Sequence, residues 1–375
     1  MVFSPLLKKV IHDLKTRREK LNITPEMLEE ELGLNGGWIE AFENCKIFPS
    51  TDLFLLIAYK VGFNVNEAFQ GHKVDLQNDL SRMLIAAQNG PDLSIIFDYN
   101  GREAKFTIHK ATTEQFADIR TFFIDSLSTN GLKETVRMTF FKALEKWPHA
   151  NPSDLWYFLM SRIYQDKYNL PLYLIGKDLS QSWKRTSGWA LEEIFIQNYQ
   201  ASLKKQGILI KRILGDESKK YIQKMKLSYP TKEIKADLFL INELNKADDC
   251  FGILHIKASL AERRSSDQGL SKALMEKQYF SPFITMDCKS TPSANPVNKG
   301  EFGEPYSSGD DVRSDKRKEI EEDGIFTSVF SYNKNTKPTP KKQKATSRIF
   351  TLGFGNSNDE FVKQVVASRD RLYGK

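Results

Sequence analysis

The stretch FGILHIKASLAERR, Phe251 to Arg264, sets a lysine into a run that otherwise has the composition of a buried strand. Strand alternation places Ile253, His255 and Lys257 on one face and Leu254, Ile256 and Ala258 on the other. A charged amine in a sheet covered on both faces is costly unless carboxylates meet it. The chain must therefore fold so that acid-bearing elements flank this strand. Two are at hand. Asp237 opens the neighbouring strand, KADLFLIN. The helix ALEEIFIQNYQASL carries an apolar stripe of Leu191, Ile194, Phe195, Tyr199 and Leu203. Glu192 borders that stripe, while Glu193 falls on the polar side with Gln197 and Lys204. Glu192 is thus the expected inward carboxylate. By spacing alone, Asp237 and Lys257 would serve equally as a structural ion pair at a sheet end.

The surrounding sequence predicts an α/β domain with a mixed sheet over residues 171–375. GWALEEIFIQNYQASLKKQG is a helix ending at Gly207, KADLFLIN and FGILHIKAS are strands, and GLSKALMEKQYF is a helix. SPFITMDCK, FTSVFSYN and SRIFTLGF add strands, and DEFVKQVVASRDRLYG closes the chain with a helix. RSDKRKEIEEDG is a helix with Arg317–Glu321 and Lys318–Glu322 at i,i+4 spacing. The polar, basic NKNTKPTPKKQKATS predicts an exposed loop.

Ahead of this domain lie two further segments. Residues 1–72 predict five short helices. In them Thr24-Pro25 is an N-cap followed by a first-turn proline, and Gly33 a C-cap. Residues 73–170 predict a mixed connector: a hairpin, LSIIFDY and AKFTIHK, around Asn100-Gly101, then helices, with no catalytic constellation.

The net charge of +7 is unevenly spread. Residues 1–70 hold 8 basic and 10 acidic side chains, and residues 71–175 hold 12 of each. Residues 176–375 hold 35 basic and 26 acidic, so a polyanion partner would dock there. No apolar run approaches a membrane span, and the first twenty residues lack a signal-peptide core. Cys45, Cys250 and Cys288 show no pairing pattern, which favours a reducing compartment and argues against zinc. A cytoplasmic protein is expected.

The pattern TPEMLEEELGLNGGWIEAFENCKIFPSTDLFLLIAYKVGFNVNEAF resembles the XRE-like helix-turn-helix domain, whose third helix enters the major groove. Here that helix offers Asn35, Gly36, Gly37, Trp38 and Glu40, with few base-edge donors. A helical module packing on a partner remains the other reading. A helix glutamate, a strand aspartate and a lysine on the next strand resemble the PD-(D/E)XK nuclease fold. The resemblance implies Mg²⁺ as cofactor, Glu192 and Asp237 as metal-linked carboxylates, the Ile256 carbonyl as a further ligand, and Lys257 positioning or deprotonating the attacking water. The chain departs from the pattern at His255, where an acid is expected. Some restriction endonucleases move that acid along the chain. Glu262, Glu276, or Glu192 acting alone with Asp237 are the alternatives.

KASLAERR resembles the run after the catalytic lysine in a group of these endonucleases, which implies phosphate binding by Ser259 and Arg263. RSDKR resembles the element with which CCGG-cutting enzymes read G·C pairs. It implies Arg313 and Asp315 as readers, with Lys316 or Arg317 in the third place. The order of these motifs resembles the BsaWI-like type II restriction endonucleases of the PD-(D/E)XK superfamily. That resemblance implies double-stranded DNA as substrate, a homodimer or higher homo-oligomer on a palindrome with a CCGG core, and a cognate DNA methyltransferase. A helix-turn-helix regulator with a C-terminal sensing or oligomerisation domain, and a repair or structure-specific nuclease, are the alternatives.

Overall fold

The computed structural model describes residues 5–47, 49–64, 85–99, 102–157, 179–227, 236–244, 249–260, 264–289, 296–306, 311–356 and 358–374. Residues 1–83 with 170–178 form one compact unit, and residues 84–169 with 179–375 a second. Most of the segment expected as a separate connector therefore belongs to the α/β unit. Among the described residues no helix is long and apolar enough to cross a membrane.

The first unit holds α1 (Pro5–Lys20), α2 (Pro25–Leu32), α3 (Trp38–Glu43) and α4 (Thr51–Lys60). The expected fifth helix, VNEAF, lies outside the described residues. Thr24 accepts from the Met27 amide and caps α2, which stops at Gly33 in the left-handed region (φ 65°). Val10, Ile11 and Leu14 pack with Leu28, Ile39, Phe42 and Ile57 in one core. Two polar ties brace it. Buried Glu29 accepts from the amides of Gly37 and Ile39 at the start of α3. Arg18 makes a two-pronged pair with Glu43 at 2.6 and 2.8 Å.

The second unit opens with an antiparallel meander of β1 (Ile85–Asn89), β2 (Asp92–Tyr99) and β3 (Arg102–Ile108). The pairing of Tyr99 with Arg102 leaves two residues for the β2–β3 connection, which itself lies outside the described residues. β1 is a strand beyond the expected hairpin. α5 (Thr113–Lys146) follows, opened by a reciprocal Thr112–Gln115 capping box. It is broken at Gly131 (φ 68°, ψ 168°), so it runs as two helical halves of one kinked element. A short turn, α6 (Pro152–Leu155), is capped by Asn151. α5 packs on α7 (Leu179–Lys204), and this contact explains why the connector is not separate.

Among the described residues the main sheet has six strands in sequence order: β4 (Ile208–Lys211), β5 (Leu238–Asn242), β6 (Asp249–Lys257), β7 (Phe283–Thr285), β8 (Val329–Ser331) and β9 (Ile349–Thr351). The first three are antiparallel and the last four, from β6 onward, parallel, so the sheet is mixed as expected. β4 and α8 (Gly215–Lys224) were not anticipated. Four strand residues and a polar helix with one buried residue, Ile222, carry too weak a period. α9 (Arg264–Glu276), α10 (Asp315–Glu321) and α11 (Glu360–Tyr373) complete the unit.

Residues of α8 and α9 share a core with Phe239, Ile241 and Ile253. α7 and α11 both contact β6, and their Phe195 and Phe361 rings meet edge-on at 4.8 Å. All five residues of the expected α7 stripe are buried. At Gly252 the segment leading into β7 comes so close that a Cβ would sit 2.7 Å from the Phe280 carbonyl oxygen. The basic loop before β9 is only partly exposed. Lys341, Lys342 and Lys344 face outward, but Thr336 and Thr339 are buried, donating to Asp287 and Glu321.

Candidate active site

Asp237 stands one residue before β5, beside the end of β6. Its Oδ2 accepts from the Ile256 amide at 2.8 Å and from Lys257 Nζ at 2.6 Å. Asp267, on the first turn of α9, brings Oδ2 to 3.7 Å from the same ammonium. Burial by itself would depress the Lys257 pKa. The charges of Asp237 and Asp267 outweigh it, and the pKa is raised. Lys257 is therefore an ammonium.

Glu192, on α7, is largely buried. Its Oε2 accepts from Arg212 Nε at 2.6 Å. Burial, followed by the negative charge of Asp237, pushes its carboxyl up to about 7, against the pull of Arg212 and Lys257. Three elements, α7, β5 and β6, thus bring Glu192, Asp237 and Lys257 into one electrostatic group.

His255 is fully buried. Its Nε2 pairs with Ser281 Oγ at 2.9 Å, and Ser281 Oγ donates to Ser271 Oγ on α9. Burial and the nearby Lys257 charge push its pKa down to about 3, so the ring is neutral. A carboxylate does reach Lys257 from α9, that of Asp267. Asp267 and Ser271 are one helical turn apart, so the face that reaches His255 through Ser281 also meets Lys257. Of the alternatives named for the displaced acid, Glu276 is exposed at the far end of α9 and Glu262 lies outside the described residues. Asp267 was missed because α9 begins five residues earlier than its apolar period suggests. The i,i+4 pair of Asp267 and Ser271 was the available signal.

Among the described residues, no group of three or more His, Cys, Asp or Glu side chains is arranged to hold a metal. The donor set nevertheless suits a hard divalent cation. Burial and the charge of Asp237 make the Glu192 carboxylate costly to ionise, and a bound cation would relieve that cost. Arg212 and Lys257 supply the positive charge in the structure as it stands.

The recognition residues are disposed differently. Ser259 is half-buried just beyond β6, and Arg263 lies outside the described residues. Arg313 is held by Asp311 at 2.8 Å, by Glu321 at 3.3 Å and by Glu322, with its guanidinium over the Tyr306 ring. Lys316 pairs with Glu301, and Asp315 is exposed at the start of α10. Arg317 is fully buried. It donates to Glu321 at 2.9 Å and to the carbonyls of Phe302 and Lys337. This corrects the expectation that Arg317 could read a base: its guanidinium is consumed inside the fold.

No family model matches the chain. It is 33% identical over 278 residues to the type II restriction enzyme AgeI of Thalassovita gelatinovora, covering 71% of this chain and 96% of that protein. The crystal structure of the specific AgeI–DNA complex superposes with a TM-score of 0.61 at 29% identity, covering 76% of this chain and 99% of that one. The pre-specific BsaWI–DNA complex aligns at a TM-score of 0.34 and 17% identity, over 69% of this chain and 93% of that one, too low to carry an argument.

Proposed function

We propose that this chain, which belongs to the type II restriction endonucleases, cuts both strands of a short DNA palindrome with a CCGG core, using Glu192, Asp237 and Lys257 with Mg²⁺ as cofactor. Its kinship with AgeI makes it a site-specific deoxyribonuclease. The observation that best supports the proposed site is the Asp237 carboxylate. It accepts at once from Lys257 and from the backbone of the lysine's own strand, with Glu192 electrostatically coupled to it.

Glu192, Asp237 and the Ile256 carbonyl would hold the divalent ion, which lowers the pKa of bound water and screens the phosphodiester charge. Asp267 is the proposed replacement for the acid missing at His255. Lys257, kept as an ammonium by Asp237 and Asp267, can donate to the attacking water or to a phosphate oxygen. It thereby offsets the charge that grows on the phosphoryl oxygens. Ser259 and Arg263 are the proposed phosphate contacts. Arg313 and Asp315 are the proposed readers of guanine O6/N7 and cytosine N4, with Lys316 as a third contact. For Arg313 and Lys316 this requires their pairs with Asp311, Glu321, Glu322 and Glu301 to open on DNA.

DNA as partner is supported by the DNA complex of AgeI. The two-fold symmetry of a palindrome favours a homodimer, and a methyltransferase of the same specificity would protect host DNA. The first unit is proposed as the XRE-like module. The test is incubation with a sequenced plasmid and Mg²⁺, followed by mapping of fragment ends. Discrete fragments ending at one palindrome are expected. A smear or a preference for branched DNA points to a repair nuclease, and no cleavage to a regulator. Lys257→Ala should slow cleavage by about 10²–10⁴-fold while specific DNA binding persists. Wild-type cleavage by that variant would remove Lys257 from the mechanism.

A further inference from the structure

Arg212 leaves the end of β4 and reaches back over one turn of α7. Its three guanidinium nitrogens meet three acceptors of that turn. Nε donates to Glu192 Oε2 at 2.6 Å, Nη1 to Glu193 Oε1, and Nη2 to the Trp189 carbonyl at 3.1 Å. The guanidinium also lies over the Trp189 ring, 5.3 Å from its centroid. The Arg212 side chain is 16% exposed and that of Glu192 17%, so the clasp is sheltered rather than a surface ion pair. Consecutive residues of a helix point about 100° apart. One planar fork spanning both carboxylates therefore settles which of them turns toward β5 and β6. An ammonium, lacking that fork, could satisfy one acceptor well but not all three.

We infer that Arg212 is the positioning residue for the cation-side carboxylate. By clasping Glu192, Glu193 and the Trp189 carbonyl together, it fixes the Glu192 side chain toward Asp237 and holds Glu193 aside. This rests on the reading of Glu192 and Asp237 as the cation-holding pair. Arg212 touches neither DNA nor the reacting atoms in this role. It acts on the cation through the carboxylate that it orients, as an outer partner does for a ligating side chain.

The test uses the full-length protein and Mn²⁺ as probe. Mn²⁺ binding is measured by calorimetry without DNA, alongside thermal unfolding and the Mg²⁺ dependence of cleavage. Arg212→Ala should weaken Mn²⁺ binding by about 10–100-fold and raise the Mg²⁺ needed for half-maximal cleavage by a similar factor, with a smaller loss of rate at saturating Mg²⁺. Arg212→Lys, which keeps a single contact, should fall between the two. It carries the test if the alanine variant does not fold. Glu193→Gln should bind Mn²⁺ with near wild-type affinity.

Wild-type or tighter Mn²⁺ binding by Arg212→Ala, or by a folded Arg212→Lys with no alanine comparison, overturns the inference. Tighter binding would mean that the guanidinium competes for Glu192 rather than presenting it. A loss in Glu193→Gln equal to that in Arg212→Ala overturns it as well. Glu192→Gln separates the levels. If it binds Mn²⁺ like wild type, the reading of the site fails and the inference with it. If it loses Mn²⁺ while Arg212→Ala keeps it, only the role of Arg212 fails.

Discussion

Buried charge in this protein is tolerated where it is shared. Lys257 divides its ammonium between Asp237 and Asp267, and Arg317 satisfies its guanidinium with one carboxylate and several carbonyls. The two differ in what a ligand can reach. The Lys257 side chain is 17% exposed and that of Arg317 fully covered. Arg317→Ala should therefore cost about 3–5 kcal/mol of stability, because it removes the closer of the two cations that hold buried Glu321. The folded fraction should keep its sequence preference in DNA binding; urea unfolding and binding titrations check both.

Asp287 shows the opposite solution. It is fully buried, and burial pushes its carboxyl up to about 7 despite a hydrogen bond from Thr336 and the charges of Lys316, Arg317 and Lys289. An acid whose folded pKa is raised stabilises the fold in its neutral form. That contribution is full below its ordinary value near 4 and is lost as pH rises toward 7. The difference in melting temperature between wild type and Asp287→Asn should thus shift in favour of the variant between pH 5 and pH 8. Asparagine suits the left-handed backbone there (φ 47°). A pH-independent difference would place the carboxyl back in its usual range.

At the scale of elements, α5 and α7 decide where Glu192 stands. The kink at Gly131 lets the second half of α5 turn, and α5 packs on the helix that carries the glutamate. Its dihedrals lie in a region open essentially to glycine alone. Gly131→Ala should cost about 1–3 kcal/mol in urea unfolding, although nothing stands within 4 Å of the added methyl. α9 makes the complementary point. Its apolar residues were legible from their period, but its first turn, RSSDQ, has no apolar signal. Asp267 was therefore hidden among residues that looked like loop. α7, with a stripe of five residues, left no such gap: the inward side of Glu192 followed from its border position.

For the whole molecule, charge asymmetry bears on binding. The basic excess lies in residues 176–375, all but the first three of which belong to the α/β unit. Neutralising six or more phosphates would make specific binding fall by about 10³-fold or more between 50 and 200 mM salt, measurable by fluorescence anisotropy. On a palindromic duplex, sedimentation should show two chains per DNA. A slope of one or two phosphates, or a single chain per duplex, would argue against the dimeric DNA reading.

Read as a string of residues, the chain already required carboxylates around Lys257, because an unpaired ammonium in a covered sheet is too costly to keep. Helix and strand periods pointed to Glu192 and Asp237, and His255 stood out as a break in the expected acid pattern. Packing in three dimensions brought a second carboxylate to Lys257. Asp267 comes from α9, distant from Asp237 in sequence and adjacent through the packing of a helix on a sheet. Arg212 clasps α7 from the end of a strand too short to announce itself. The same holds for Arg313, Lys316 and Arg317: their spacing resembled a reader of bases, but exposure is set by packing, and packing buries Arg317 and pairs the other two. Local periods specify which face a residue takes; they carry no information about which distant side chain meets it.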